Sequence, residues 1–139
     1  MYVPFLDLKA INQRDESAFQ AAFQKVMDTG YYITGQRLKD FESEFAVYSE
    51  AKHCIGVGNG LDALVMILRA GGVGAGDEVI VPANTFIASF LAITAVGATP
   101  VPVDVDEATM LVDATSIEAA ITLRTKAVMP VHLFGHVCD

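Results

Sequence analysis

Apolar positions along the chain alternate between a helical spacing and a strand-like spacing, which is typical of an α/β protein. The first two predicted elements are amphipathic helices, each with one apolar face. The apolar face of the first helix consists of Phe19, Phe23, Val26 and Met27. That of the second helix consists of Leu38, Phe41, Phe45 and Tyr48. Gly30 follows the first helix, and a glycine at this position commonly ends a helix.

Four later segments have the composition of strands, and three predicted helices alternate with them. The strands are predicted at "HCIGV", "GDEVIVP", "TPVPVDV" and "KAVMPVHLF". The helices are predicted from Leu61 to Ala70, in "NTFIASFLAITAVG" and in "SIEAAI". Thr115 and Glu118 have the spacing of a capping box for the last helix. This alternation predicts a mainly parallel sheet with helices on its faces.

Charge and composition exclude several classes of protein. The 139 residues include nine basic and seventeen acidic side chains, and the net charge of −8 argues against non-specific nucleic-acid binding. No apolar run reaches the roughly 20 residues of a membrane span, and the N-terminal segment lacks a secretory signal. Cys54 and Cys138 form neither a disulfide framework nor a zinc motif. We therefore expect reduced thiols in a cytoplasmic protein.

A glycine-rich turn, "GVGNGLD" at Gly56–Asp62, joins a predicted strand to a predicted helix. The start of a helix offers unpaired N–H groups and a partial positive charge, and Gly58 and Gly60 let a phosphate approach the backbone. The turn is not a P-loop, because no lysine or serine follows Gly60. Leu61 stands where a GxGxxG motif has its third glycine. A tight turn that binds no ligand is the alternative interpretation.

A second polar turn, in "VPANTFIAS", follows the next predicted strand. In a parallel sheet both turns lie at the carboxyl edge, where ligands bind. Phe86 begins a helix over that edge, so its ring either stacks on a flat ligand or packs in the core. His132 and His136 lack the helical spacing of a metal motif, and we predict no metal site.

Taken together, these segments resemble the DegT/DnrJ/EryC1/StrS aminotransferases, pyridoxal-phosphate (PLP) enzymes that act on sugar nucleotides. The resemblance covers essentially the whole chain and rests on "PFLDLKAIN", "GYYITGQRLKDFESEFAVY", "GVGNGLDAL", "GDEVIVPANTFIAS", "GATPVPVDVD" and "TKAVMPVHLFGH". It implies the N-terminal portion of a large domain of the aspartate-aminotransferase type (type I), a mainly parallel sheet flanked by helices. Residues 1–30 would form an N-terminal arm and helix, and residues 31–139 the first, incomplete part of the PLP-binding domain.

The resemblance implies five residues that bind the cofactor. The family's phosphate turn, whose backbone N–H groups hold the PLP phosphate, is matched by Gly60, Leu61 and Asp62. The aromatic residue that stacks on the pyridine ring is matched by Phe86. A small polar position close to the cofactor is matched by Ser89.

The resemblance also implies three residues that line the substrate site. The segment at the substrate entrance is matched by Tyr31 and Tyr32, and a position near the cofactor end of the sheet by His132. Phe134 and His136 replace the tyrosine and the glutamine that the family usually has. Any role of these two residues in the pocket therefore stays open.

The catalytic pair that the resemblance implies is absent from this chain. Transamination needs a Schiff-base lysine and a carboxylate beside the pyridine nitrogen, and in the family both lie beyond the position of Asp139. The lysines present, none of which matches the Schiff-base motif, are Lys9, Lys25, Lys39, Lys52 and Lys126. We expect a fragment of a larger α/β unit that is inactive alone.

The implied activity is transfer of an amino group from glutamate to a keto sugar nucleotide in deoxyamino-sugar biosynthesis. The motifs most resemble the branch that aminates 3-keto-6-deoxyhexoses on dTDP. The fold type implies a homodimer, and neither a nucleic acid nor a membrane is an expected partner.

Three alternatives stay open. The first is a PLP-dependent sugar dehydratase of the same family, in which a histidine replaces the lysine. The second is a non-catalytic nucleotide-binding α/β module, which needs an acidic ribose-binding residue about 20 residues after the glycine turn. Asp77 and Glu78 lie near that distance but precede a strand, which disfavours this module. The third is a truncated, inactive chain that only self-associates.

Overall fold

The computed structural model describes residues 3–139. Met1 and Tyr2, which the predicted N-terminal arm includes, lie outside the described residues. The backbone divides between Gly56 and Val57 into two compact units. The domain limits 1–30 and 31–139 concern the architecture of a whole enzyme and stay a prediction.

The first unit is helical, with α1 at Leu8–Gln13, α2 at Glu16–Thr29 and α3 at Gln36–Tyr48. The helices α2 and α3 confirm the two predicted amphipathic helices. Asp7 caps α1, and Gly30, in the left-handed conformation at φ 65°, ends α2 as predicted. Most apolar side chains of α2 and α3 are exposed, and among residues 3–56 Ala46 alone is a buried hydrophobic residue.

The second unit is a three-stranded parallel sheet with helices around it. Its elements are α4 at Gly60–Ala70, β1 at Glu78–Pro82, α5 at Ile87–Ala95, β2 at Thr99–Val103, α6 at Ala114–Ala120, β3 at Thr125–Val128 and a 3₁₀ turn at Leu133–Gly135. The strand order is β2-β1-β3, so β1 pairs on both sides. No helix between residues 3 and 139 has the length and apolar composition needed to cross a membrane.

The core of the second unit is built on both faces of β1, every residue of which is buried. One face is covered by α4 and α5, and its cluster consists of Leu68, Val73, Val79, Val81, Ala92, Ile93 and Ala98. The other cluster consists of Ile80, Val103 and Val112. This double burial explains why "EVIVP" is apolar at consecutive positions after its first residue.

The two prolines of β2 fit its place beside β1. The N–H of Thr99 donates to the carbonyl of Asp77 (2.9 Å), so the odd-numbered residues of β2 face β1. Because N–H groups alternate between the two sides of a strand, Pro100 and Pro102 fall on the side away from β1. Their missing N–H groups therefore cost no ladder hydrogen bond to β1.

The prediction of a strand at "HCIGV" was wrong: residues 53–57 form no ladder. A strand needs a neighbouring strand that accepts its N–H groups, and residues 53–57 have no such neighbour within residues 3–139. The N–H of Gly56 instead donates to Oε1 of Glu42 (2.8 Å). Ile55 is 78% exposed, so its apolar character does not reflect burial within the described residues.

Two further element boundaries differ from the prediction. The strand predicted through Phe134 ends at Val128, because the N–H of Met129 makes the last bond to β1, to the carbonyl of Ile80 (2.8 Å), and Pro130 has no donor. The helix α6 is capped by Asp113, whose Oδ1 accepts the N–H of Ser116 (2.6 Å). Its cap is therefore two residues before the predicted one at Thr115.

Candidate functional site

The turn before α4 is held by a reciprocal pair of hydrogen bonds. Asn59, in an extended conformation, is the N-cap residue, and its Oδ1 accepts the N–H of Asp62 (3.0 Å). Its Nδ2 donates to Oδ2 of Asp62, also at 3.0 Å. Asparagine is a preferred N-cap residue because its side chain satisfies one of the unpaired N–H groups of the helix start. The cap therefore uses the Asp62 amide, one of the three amides predicted to hold a phosphate.

The N–H groups of Gly60 and Leu61 have no acceptor among residues 3–139. A Cβ built at Gly60 would meet no atom within 4 Å apart from its chain neighbours and the backbone of its own helix, so the approach to Gly60 is open. At Gly58 a Cβ would lie 3.0 Å from Oδ2 of Asp62, so glycine at this position lets the capping carboxylate approach the turn. Two open amides at the positive end of a helix are suited to an anion.

The amino end of α4 lies toward the carboxyl end of β1. The loop 71–77 joins the end of α4 to the start of β1, and α4 packs against α5 and the core on β1. Eleven helical residues and five strand residues both span about 16 Å, so α4 runs back over the length of β1. Leu61 packs against the core cluster beneath the turn. The glycine turn is thereby placed at the sheet edge where ligands bind in parallel sheets.

Phe86 begins α5 at the same edge, four residues after β1 ends. It is the N-cap residue of α5, and its side chain is 77% exposed. Phe86 therefore does not pack in the core of the second unit, which was the alternative for this residue. An exposed ring at the carboxyl edge can stack on a flat ligand.

Ser89 lies under the start of α5 rather than in the open site. It is 6% exposed, and its Oγ is 2.9 Å from Oγ1 of Thr85, with either hydroxyl as the donor. Sequence reasoning did not predict this pairing with Thr85. The signal that could have found it is the spacing of four residues across a helix start, where two hydroxyls come within reach.

His132 holds the last segment of the chain. Its Nδ1 accepts the N–H of Cys138 (3.1 Å), and Sγ of Cys138 contacts the carbonyl oxygen of Val131 at 3.3 Å. His132 is exposed and follows β3, at the carboxyl side of the sheet. Both cysteines are free thiols. No cluster of three His, Cys, Asp or Glu side chains in residues 3–139 could hold a metal ion.

Tyr31 and Tyr32 belong to the first unit, in the turn between α2 and α3. Both are exposed. The N–H of Tyr31 donates to Oγ1 of Thr29 (3.0 Å), and the hydroxyl of Tyr32 donates to the carbonyl of Met27 (3.4 Å). These bonds fix the turn after α2 and leave the Tyr31 hydroxyl exposed.

The basic side chains of the second unit stand away from the glycine turn. They are Arg69, in the last turn of α4, and Arg124 and Lys126, at the beginning of β3. All three lie toward the amino edge of the sheet, opposite Gly60 and Phe86. Within residues 57–139, an anion at the turn would therefore be held by backbone amides and the helix dipole and not by an ion pair.

The amino edge of the sheet carries a separate polar network around Glu78. Its carboxylate accepts hydrogen bonds from Oγ1 of Thr122 (2.5 Å) and Nε of Arg124 (2.9 Å). These bonds, with the charge of Arg124, hold the pKa of Glu78 below its ordinary value despite burial. Asp77 accepts the N–H of Gly74 (3.0 Å). Both candidates for the acidic ribose-binding residue of a nucleotide-binding module are thus engaged elsewhere.

The chain is similar over nearly its whole length to proteins of one known family. The model of the DegT/DnrJ/EryC1/StrS aminotransferase family matches residues 13–139. Over 137 residues the chain is 56% identical to a dTDP-3-amino-3,6-dideoxy-alpha-D-galactopyranose transaminase of Aneurinibacillus thermoaerophilus. This match covers 99% of the chain and 38% of the relative. The chain thus spans little more than a third of the length of that curated relative.

Two solved structures are similar to the described fold. Streptomyces venezuelae DesV, in complex with a ketimine intermediate, matches with a TM-score of 0.93 and 52% identity over 99% of this chain and 37% of its own. Bacillus subtilis NtdA, with the bound cofactor PMP, matches with a TM-score of 0.90 and 36% identity over 96% of this chain and 31% of its own. These structures confirm the predicted fold class.

Proposed function

Because the chain belongs to the DegT/DnrJ/EryC1/StrS aminotransferase family, we propose that it supplies the cofactor cradle of a PLP-dependent transaminase. The proposed reaction moves an amino group from glutamate to a keto sugar nucleotide of the dTDP-keto-6-deoxyhexose type, in deoxyamino-sugar biosynthesis. The 56% identity to a dTDP-sugar transaminase over nearly the whole chain supports this substrate class.

One structural observation carries the proposal: the open amides of Gly60 and Leu61 lie at the same sheet edge as the exposed ring of Phe86. The unobstructed approach to Gly60 suits a phosphate ester, and the amides with the helix dipole match its charge. An exposed phenyl ring suits a flat heterocycle carried by that ester. The described residues therefore fit PLP at both of its ends.

In this proposal each residue of the cradle has a limited task. The N–H groups of Gly60 and Leu61 bind the phosphate, and Asp62 keeps the turn in shape by occupying Asn59. Phe86 orients the ring against the sheet edge. When bound, PLP supplies the electron-withdrawing ring that makes amino transfer accessible.

The residues proposed to contact the keto sugar nucleotide are Tyr31, Tyr32 and His132. All three are exposed, as residues that contact a sugar nucleotide must be. Nδ1 of His132 is already engaged by Cys138, so Nε2 is the nitrogen left to contact a ligand. We expect the whole enzyme to act in the cytoplasm as a homodimer, and the exposed apolar side chains of α2 and α3 support association.

The phosphate turn can be tested in the 139-residue chain with inorganic phosphate as the probe. We expect Gly60→Val to weaken phosphate binding at least about tenfold, because the new side chain points toward the helix start, where the anion would lie. Binding is followed by NMR, from the Gly60 and Leu61 amide signals of the wild type and the Leu61 signal of the variant. The matched control is Gly71→Val at the other end of α4, where a Cβ meets only ordinary contacts. Equal binding by both variants would contradict the assigned turn.

Activity is tested in the protein expressed at its natural length. With PLP, glutamate and a dTDP-3-keto-6-deoxyhexose, we expect an amino sugar nucleotide, detected by mass spectrometry. Loss of the keto sugar without incorporation of nitrogen would favour the dehydratase instead. The 139-residue chain alone should transfer no amino group, because Lys126, the one lysine of its second unit, stands at the opposite edge of the sheet.

A further inference from the structure

The turn between β1 and α5 is anchored at both of its ends. On the strand side, the N–H of Ala83 donates to the carbonyl of Val103 (2.8 Å). On the helix side, the hydroxyls of Thr85 and Ser89 are 2.9 Å apart. Phe86 lies inside the loop that this second bond closes, so its backbone is held at the start of α5.

The start of α5 lacks the usual side-chain cap. An N-cap residue normally accepts an N–H with a short polar side chain, which phenylalanine cannot do. The N–H of Ser89 bonds instead to the carbonyl of Phe86 (3.1 Å), while its hydroxyl bonds to Thr85. The Thr85–Ser89 pair satisfies no N–H group of the helix, but it ties the residue before the N-cap Phe86 to the first turn of α5.

Ser89 is too deeply placed to contact a ligand at the edge. It is 6% exposed, whereas Phe86 is 77% exposed, and the hydrogen-bonding capacity of the Ser89 hydroxyl is directed to Thr85. Any effect of Ser89 on a bound ring must therefore pass through the position of Phe86.

We propose that Thr85 and Ser89 form a positioning pair that holds the Phe86 ring outward for stacking on the cofactor ring, and that neither hydroxyl contacts the cofactor. This inference rests on the proposed function, because it needs a flat ligand at Phe86. It assigns Thr85 a positioning role. For Ser89, which was expected to lie close to the cofactor, it assigns an indirect effect through Phe86.

The test separates ring binding from phosphate binding. Pyridoxamine 5′-phosphate is the ring-bearing probe, because it has no aldehyde to react with the lysines of the chain. Inorganic phosphate is the probe without a ring. Affinities for both are measured by NMR titration on the wild type, Thr85→Val, Ser89→Ala and the double variant, and circular dichroism confirms that each is folded.

We expect each single variant to weaken pyridoxamine phosphate binding about fivefold and to leave phosphate binding unchanged, because the phosphate amides lie on α4. The double variant should be no weaker than either single variant, since both remove the same bond. Thr85→Ser retains a hydroxyl and should bind as the wild type does.

Three results would overturn the inference. In the first, the variants bind pyridoxamine phosphate as the wild type does. In the second, they lose both probes equally, which indicates support of the whole edge and not of the ring. In the third, the two losses add in the double variant, which indicates separate contacts to the ligand. Failure of the proposed function is distinguishable, because neither probe would then shift the Gly60 and Leu61 signals of the wild type.

Discussion

Phe86 is unusual in two respects, as an N-cap residue and as a large apolar side chain that is exposed. An N-cap residue is usually Ser, Thr, Asp or Asn, and a large apolar ring is usually buried, yet this ring is 77% exposed. Departures from local preference concentrate at functional sites, where binding and not folding selects the residue. The sequence pattern left stacking on a ligand and core packing both open for Phe86, because an aromatic residue in an apolar segment is compatible with both, and the stacking role was implied by the family resemblance.

Because folding and ligand binding favour different residues at position 86, we predict that one substitution there raises stability and weakens binding. Phe86→Ser should raise the free energy of unfolding by roughly 0.5–1 kcal/mol, since serine can cap α5 and little buried area is lost. The same change should weaken pyridoxamine phosphate binding about fivefold through lost stacking. Urea denaturation and NMR titration measure the two effects.

The matched control for this substitution is Phe90→Ser on the same helix. Phe90 packs against the core cluster on β1, so its loss should destabilise the fold by about 3 kcal/mol. Similar destabilisation by both variants would contradict the view that Phe86 serves binding.

The first residues of the helices were predicted from the sequence less accurately than the helices themselves. The structure begins α6 after Asp113, although Thr115 and Glu118 have the spacing of a capping box. Two cap patterns overlap here, and the choice depends on where the chain arrives from β2, which no local pattern contains. The pairing of Thr85 with Ser89 was missed for a related reason, since it depends on α5 beginning at Ile87.

The observed cap of α6 can be tested by two alanine substitutions. Asp113→Ala should lower the free energy of unfolding by about 1 kcal/mol, because the N–H of Ser116 loses its acceptor. Thr115→Ala should change it by only a few tenths of a kcal/mol, because alanine is a good helix former at an exposed position. Urea denaturation at neutral pH measures both, and the reverse ranking would support the cap at Thr115.

The start of β1 should make stability depend on pH. Because hydrogen bonds from Thr122 and Arg124 lower the pKa of Glu78 in the folded state, its ionised form favours folding above the unfolded pKa of about 4.3. That contribution is lost as the pH falls from about 4.3 through the lowered folded value. The N–H and hydroxyl groups of Thr109 and the N–H of Ala108 lower the pKa of Asp106. Its ionised form therefore also favours folding, and this contribution is lost as the pH falls below the ordinary pKa of an aspartate.

We therefore expect Glu78→Gln to flatten the dependence of the melting temperature on pH below about 5. The control is Glu118→Gln, which removes an exposed glutamate of α6. Thermal unfolding followed by circular dichroism from pH 7 to pH 3 measures both. An unchanged slope in Glu78→Gln would show that this network does not contribute to acid sensitivity.

Of the two units, residues 57–139 have a packed hydrophobic core, whereas residues 3–56 bury few apolar side chains. The alternation of helices and strands predicted the parallel α/β class correctly, because each strand after Gly76 keeps its partners within the described residues. The strand predicted at "HCIGV" failed for the opposite reason: its composition is that of a strand, but pairing is a property of the neighbour and not of the segment. The candidate site residues Gly60 and Phe86 were predicted from a pattern of strand, turn and helix, which the structure shows before Phe86 and not before Gly60.

This difference in burial predicts where backbone amides exchange with solvent. The amides of Val79, Ile80 and Val81, which are fully buried, should exchange only through opening of the second unit. Those in the middle of α2, a helix with no buried residue, should exchange much faster although they are hydrogen-bonded. Hydrogen–deuterium exchange read by NMR measures both, and equal protection of α2 and β1 would contradict the contrast.

The open amides of Gly60 and Leu61 have a consequence for how such a protein is surveyed by mutation. Every amino acid except proline carries a peptide N–H, so an alanine scan across the turn would leave in place both N–H groups that are proposed to bind the phosphate. It would detect Asn59 and Asp62, whose side chains shape the turn, and would overlook the atoms that are proposed to bind. The informative change is removal of the donor itself, as in Leu61→Pro, which helices tolerate in their first turn.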